Sequence, residues 1–138
     1  MFTKIMVPVD LAHQEKLTRS LDCAAELARH FGIPVIYAGV TGTAPGVAGH
    51  SPADFTQHLA DFAAAQQERQ GVATGYHAIV SHDPRVELDE KLVRASEDLQ
   101  ADLIVMEGHM PNVLDHVLPS DAGTVASLAK ATVMVVRG

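Results

Sequence analysis

The feature that most restricts the fold is a repeated alternation. Five short, continuously apolar runs, "FTKIMVPV", "IPVIYAGV", "GYHAIV", "ADLIVM" and "TVMVVR", are separated by longer stretches with apolar residues at helical spacing. A strand wetted on one side alternates apolar with polar residues. One covered on both sides reads as an unbroken apolar run. Strands of the second kind, with helices between them, predict a doubly wound α/β fold around a parallel sheet. Right-handed crossovers leave few topologies, and the order 3-2-1-4-5 is expected, with two helices on each face. The 138 residues suit one domain, 1–138.

The helical stretches carry their own punctuation. In "KLTRSLDCAAELARHFG", Leu17, Leu21, Ala24, Ala28 and Phe31 form one stripe, and Gly32 stands where a C-terminal cap belongs. "SPADFTQHLADFAAAQQERQG" opens with Ser51 as N-cap, Pro52 at the first helical position and Asp54 as the acid of a capping box. Its buried face is predicted at Phe55, Leu59 and Phe62. "PRVELDEKLVRASEDLQ" places Leu88, Leu92, Ala95 and Leu99 on one side, and "DAGTVASLAKA" is a short last helix.

Charge and composition exclude several functions. The formal net charge of −7 speaks against nucleic acid, whose affinity for proteins comes largely from Lys and Arg on phosphates. Aromatic residues are 4% and tryptophan is absent, so a base-stacking platform is not expected. No apolar run is long enough for membrane insertion. The N-terminus reads as a strand rather than a signal peptide, and the expected location is cytoplasmic. Cys23 is the only cysteine, so no internal disulfide forms; at the edge of an apolar stripe it is expected to be a packed thiol.

In doubly wound sheets ligands sit at the carboxyl ends of the strands, at the switch in strand order. Asp10 ends the first strand and Gly108 follows the fourth, so the two become neighbours in the order 3-2-1-4-5. The loop "MEGHMPNVLDHVLPSDAGT", residues 106–124, holds Gly108, His109, Pro111 and Ser120, which suit a phosphate-binding loop. It also holds further proline and acid, which do not.

The opening "KIMVPVD", the "ADLIVM" strand with its loop, and the closing "VMVVRG" resemble the universal stress protein family over the whole chain. The implied fold is the adenine nucleotide alpha hydrolase-like one. Much of that family binds ATP through Gly, two residues, Gly, nine residues, then Gly-Ser or Gly-Thr, a motif this chain lacks. Its "GHMP" and "LPSDA" resemble instead the F and G branch of bacterial members, with Ser-His-Arg-Pro and Leu-Gly-Ser-Asn-Ala. The resemblance implies a nucleotide site made of Pro8, Val9 and Asp10 at the end of strand one, Val40 at the end of strand two, and Gly108, His109, Pro111, Ser120, Asp121 and Ala122. Asp10 would lie beside the nucleoside, or else cap the loop into the first helix.

Three departures all act against a triphosphate. Met110 replaces an Arg and removes a cation. Pro119 replaces a Gly, offering no N–H and a bulkier approach. Asp121 replaces an Asn at a helix N-terminus and supplies a negative charge of its own. Charge-assisted contacts are worth about 1.5–3 kcal/mol each, so losing two weakens binding by a few powers of ten. The expected cofactor is therefore ATP or AMP, weakly held, with Mg²⁺ only alongside ATP and no metal held by the protein. The expected partners are a second copy, through the apolar strand at residues 133–137, and an unidentified regulatory protein. The alternatives are a dimeric interaction module without nucleotide, and a competent ATP- or AMP-binding member with slow ATPase or self-phosphorylating activity.

His13, His82, His109 and His116 could all reach the carboxyl edge of the sheet. None has the paired spacing of a metal site, and loop-capping or solvated roles are expected. Ser120 near His116 lacks a nucleophile-elbow context, so no catalytic residue is assigned.

Overall fold

The computed structural model describes residues 1–42, 51–108 and 122–137, apart from the side chains of Pro84 and Arg85. In chain order the elements are β1 (Ile5–Pro8), a 3-10 stretch (Leu11–Lys16), α1 (Thr18–Phe31), β2 (Val35–Thr41), α2 (Pro52–Gln70), β3 (Thr74–Val80), α3 (Pro84–Asp98), β4 (Leu103–Glu107), α4 (Ala122–Leu128) and β5 (Thr132–Val136). One five-stranded sheet runs β3-β2-β1-β4-β5, and every pairing is parallel. The expected architecture is the observed one.

Period-two alternation along the central strands feeds two cores. Ile5, Val7, Val35, Tyr37, Leu103 and Val105 turn to one face and pack with Leu21 and Ala24 of α1 and Phe55 and Leu59 of α2. Met6, Ala38, Val40, Ile104 and Met106 turn to the other, against Leu88, Leu92 and Ala95 of α3 and Val125 of α4. Two helices therefore cover each face, which is why these strands read as continuous apolar runs. On the α2 face, Gly39 has no room for a side chain. A Cβ there would come within 2.7 Å of the Phe55 ring.

The punctuation residues act as their types demand. Gly32 takes the left-handed conformation (φ 65°) and closes α1 by donating its N–H to the Ala28 carbonyl. The Ser51 hydroxyl accepts from the Asp54 N–H at 3.1 Å, with Pro52 at the first helical turn. Several boundaries differ from expectation, among them those of the first and last helices. The first helix begins at Thr18, not Lys16, because a 3-10 stretch intervenes with His13 outside helical angles (φ −134°, ψ 45°). The last helix ends at Leu128, short of the Ala131 expected from its small residues.

Asp102 anchors the start of the central strand. Its carboxylate accepts from the Thr3 N–H at 3.0 Å, the Thr3 hydroxyl at 3.0 Å and the Lys4 N–H at 3.2 Å. Burial pulls its pKa upward, but the hydrogen bonds from Thr3 and Lys4 more than offset this and hold it below the ordinary aspartate value. A carboxyl whose folded pKa lies below its unfolded one, about 3.9, stabilises fully above that value. The contribution is lost as pH falls through the folded pKa. Thermal melts of wild type and Asp102→Asn from pH 7 to pH 3 are thus expected to differ most near neutrality and to converge in acid. An equal difference at every pH would contradict this account.

A notch at the end of the central strand

The site follows from which way each peptide group points. Successive residues in a parallel strand direct their N–H and C=O groups to opposite neighbours. The Ile5 and Val9 N–H groups donate to Pro34 and Ala38 carbonyls on the β2 side, while the Lys4 carbonyl accepts from Leu103 of β4. Residue 8 therefore faces β4, and residue 8 is proline, which has no N–H to donate. The β1–β4 ladder runs only through Ile5–Leu103 and Met6–Ile104. On the other side β1 stays paired with β2 through Pro8 and Ala38.

Beyond Pro8 the neighbours continue. β2 remains paired with β3 as far as Thr41, and β4 with β5 as far as Glu107. The result is a notch in the sheet edge at the switch point, where β1 ends at Pro8 and gives way to Val9 and Asp10 while its neighbours continue. The Ser81 N–H donates to the Thr41 carbonyl on the β3 side, so alternation turns the Val40 peptide groups back toward β1, where the β1 ladder has ended. The Val40 side chain itself is buried in the α3-side core. Any role at the notch falls to its backbone.

Asp10 is fixed from three directions. Oδ1 accepts from the Ala12 N–H at 3.0 Å, Oδ2 lies 3.0 Å from Nδ1 of His13, and the Asp10 carbonyl accepts from the His13 N–H at 3.0 Å. The capping role is thus real, and it serves the 3-10 stretch rather than α1, whose N-cap Leu17 makes no side-chain bond. Capping does not close the residue off, since its side chain keeps 25% exposure.

The β4 side of the notch differs from a simple phosphate loop. Gly108 donates its N–H to the Val136 carbonyl of β5, so this donor is committed to the sheet. Its lack of a side chain is explained by the same strand. A Cβ would meet Arg137, Val135 and the Val136 carbonyl at 3.1–3.2 Å. Glu107, which sequence reasoning passed over, closes β4 with Oε2 buried and, among the described residues, without a hydrogen-bond partner. An acid directly after an apolar strand run was the available signal.

Ala122 opens α4 and is buried. His109, Met110, Pro111, His116, Pro119, Ser120 and Asp121 lie outside the described residues. Among the described residues no three His, Cys, Asp or Glu converge as metal ligands. His82 is exposed after β3. Tyr37, pushed up to about 12 by burial with Arg69 partly opposing, sits in the core against Phe62 and away from the notch. Its perturbation comes from packing.

If the missing N–H of Pro8 opens the notch, Pro8→Ala should let the β1–β4 ladder extend. Hydrogen exchange is expected to show a protected amide at that position. The net stability change should stay within about 1 kcal/mol, because the new hydrogen bond is offset by the lost rigidity of proline. A rapidly exchanging amide would refute this origin for the notch.

The fold agrees with known structures. A universal stress protein from Archaeoglobus fulgidus superposes with a TM-score of 0.70 at 23% identity, over 98% of each chain. A universal stress protein structure from the same organism, in complex with dAMP, gives 0.68 at 22% identity over 96% of each chain. An Arabidopsis thaliana family member with AMP bound gives 0.62 at 17% identity, over 98% of this chain and 91% of that one. No curated protein matches by sequence. The model of the Universal stress protein family matches residues 1–137, and the chain belongs to that family.

Proposed function

We propose that this chain is a regulatory stress protein that takes an adenine nucleoside or monophosphate in the notch and holds a triphosphate weakly or not at all. The observation that carries the reading is the Asp10 carboxylate, fixed yet reachable at the end of β1. The Val40 peptide groups offer a donor and an acceptor on the β2 side, a pairing suited to the edge of a purine. The phosphate side is poorer. The Gly108 N–H is spent on β5, Glu107 adds a carboxylate, and Met110, Pro119 and Asp121 each remove attraction or add repulsion. The structurally similar family members crystallised with dAMP, cAMP and AMP carry ligands with a single phosphate, which favours the same class here. Binding would alter contact with a regulatory partner in the cytoplasm. No residue is assigned to catalysis.

Isothermal titration with ATP, ADP and AMP tests this reading. AMP should bind at least as well as ATP. The triple change Met110→Arg, Pro119→Gly, Asp121→Asn should raise ATP affinity, with the charge-changing pair contributing most at low salt. Wild-type ATP binding at or below about 1 μM, equivalent to about −8 kcal/mol, would overturn it.

A second reading, a dimeric interaction module, is favoured by the edge strand. Among the described residues β5 pairs only with β4, and Met134 and Val135 are 36% and 39% exposed. Open edges are normally paired or covered. Light scattering at micromolar concentration should give a dimer mass, and Val135→Lys, on the edge strand at residues 133–137, should shift it to monomer. A monomer mass for wild type, or an unchanged mass for Val135→Lys, would remove β5 as the interface.

A further inference from the structure

His13 pairs with the Asp10 carboxylate just past the end of β1. In a 3-10 stretch, side chains three apart eclipse one another. Here the non-helical angles of His13 and its N–H bond to the Asp10 carbonyl bring the imidazole back beside that carboxylate, Nδ1 to Oδ2 at 3.0 Å. A carboxylate only accepts, so Nδ1 carries the proton and, in the neutral ring, Nε2 does not. Each carboxylate oxygen has roughly two acceptor directions. The Ala12 N–H occupies one on Oδ1 and His13 one on Oδ2, and among the described residues no other donor reaches either oxygen, so each keeps one direction for a ligand donor.

We propose that His13 is a positioning residue for the ligand. It locks the Asp10 carboxylate in the orientation that receives two hydrogen-bond donors of a bound nucleoside, its hydroxyl or amine hydrogens. This rests on the nucleoside reading of the notch. Without His13, Ala12 is the one described residue whose hydrogen bond restrains the carboxylate, through Oδ1, and Oδ2 loses its hold. The ligand must then immobilise a side chain that the wild type presents already ordered. That penalty corresponds to about a three- to tenfold loss of affinity.

The test combines a spectroscopic and a binding measurement on the full chain. Long-range ¹H–¹⁵N spectra of the unliganded protein should show the neutral His13 ring protonated on Nδ1, and Asp10→Asn should abolish that preference. Titration with adenosine should find His13→Ala three- to tenfold weaker than wild type. His13→Asn, whose amide nitrogen falls close to the position of Nδ1, should remain within about twofold, and the longer His13→Gln should resemble His13→Ala. The Asn and Gln variants keep a polar side chain on the turn, so their contrast holds even if truncation to Ala disturbs it. A merely structural pair would change melting temperature without this order of affinities. Wild-type binding that His13→Ala and His13→Gln leave within twofold overturns the positioning role alone, as does a ring protonated on Nε2. Failure of wild type to bind adenosine overturns the nucleoside reading and the positioning role with it.

Discussion

A central strand must satisfy neighbours on both sides, and β1 stops doing so at Pro8. Everything distinctive about the carboxyl edge of this sheet follows from that. Toward β2 the strand continues to bond, through the Val9 N–H, whereas toward β4 it has no donor. Proline is normally kept out of central strands because it removes a ladder bond. Here the loss falls on the last residue and on one side only. It costs little cohesion and opens the switch point.

Cohesion is supplied lower down. Ile5, Met6 and Val7 are fully buried and divide between the two cores, so one short strand holds both helical layers. Asp102 ties the chain just before β1 to the start of β4 through the Thr3 and Lys4 amides. The amino end of the sheet is therefore stapled while the carboxyl end is free to be shaped for a ligand. The fixed carboxylate of Asp10 stands at that free end because the chain turns there into a short 3-10 stretch rather than directly into α1.

Charge sets the character of the notch. Asp10 has its acceptors partly filled by Ala12 and His13, whereas Glu107 keeps one oxygen buried without a partner among the described residues. A reachable carboxylate at the end of β1 favours donors and disfavours polyanions. The backbone donor at Gly108 belongs to the sheet.

The fold was legible in the sequence because burial on both faces of a parallel sheet leaves an unbroken apolar run, and five such runs with capped amphipathic stretches between them admit few arrangements. Gly32, Ser51 and the stripes of α1 to α3 were readable for the same local reason. The site was only partly so. Pro8, Asp10 and Gly108 were singled out by type and position, yet the tertiary structure decided what each does. Pro8 matters because alternation points its missing N–H at β4. Gly108 is small because β5 passes within 3.2 Å of where its side chain would be. Asp10 is held by a histidine three residues on, through a turn that the apolar pattern does not encode. Apolar periodicity reports which face is buried. It carries no information about the direction of a single peptide group or about which neighbour meets it, and those are set only when the strands have paired.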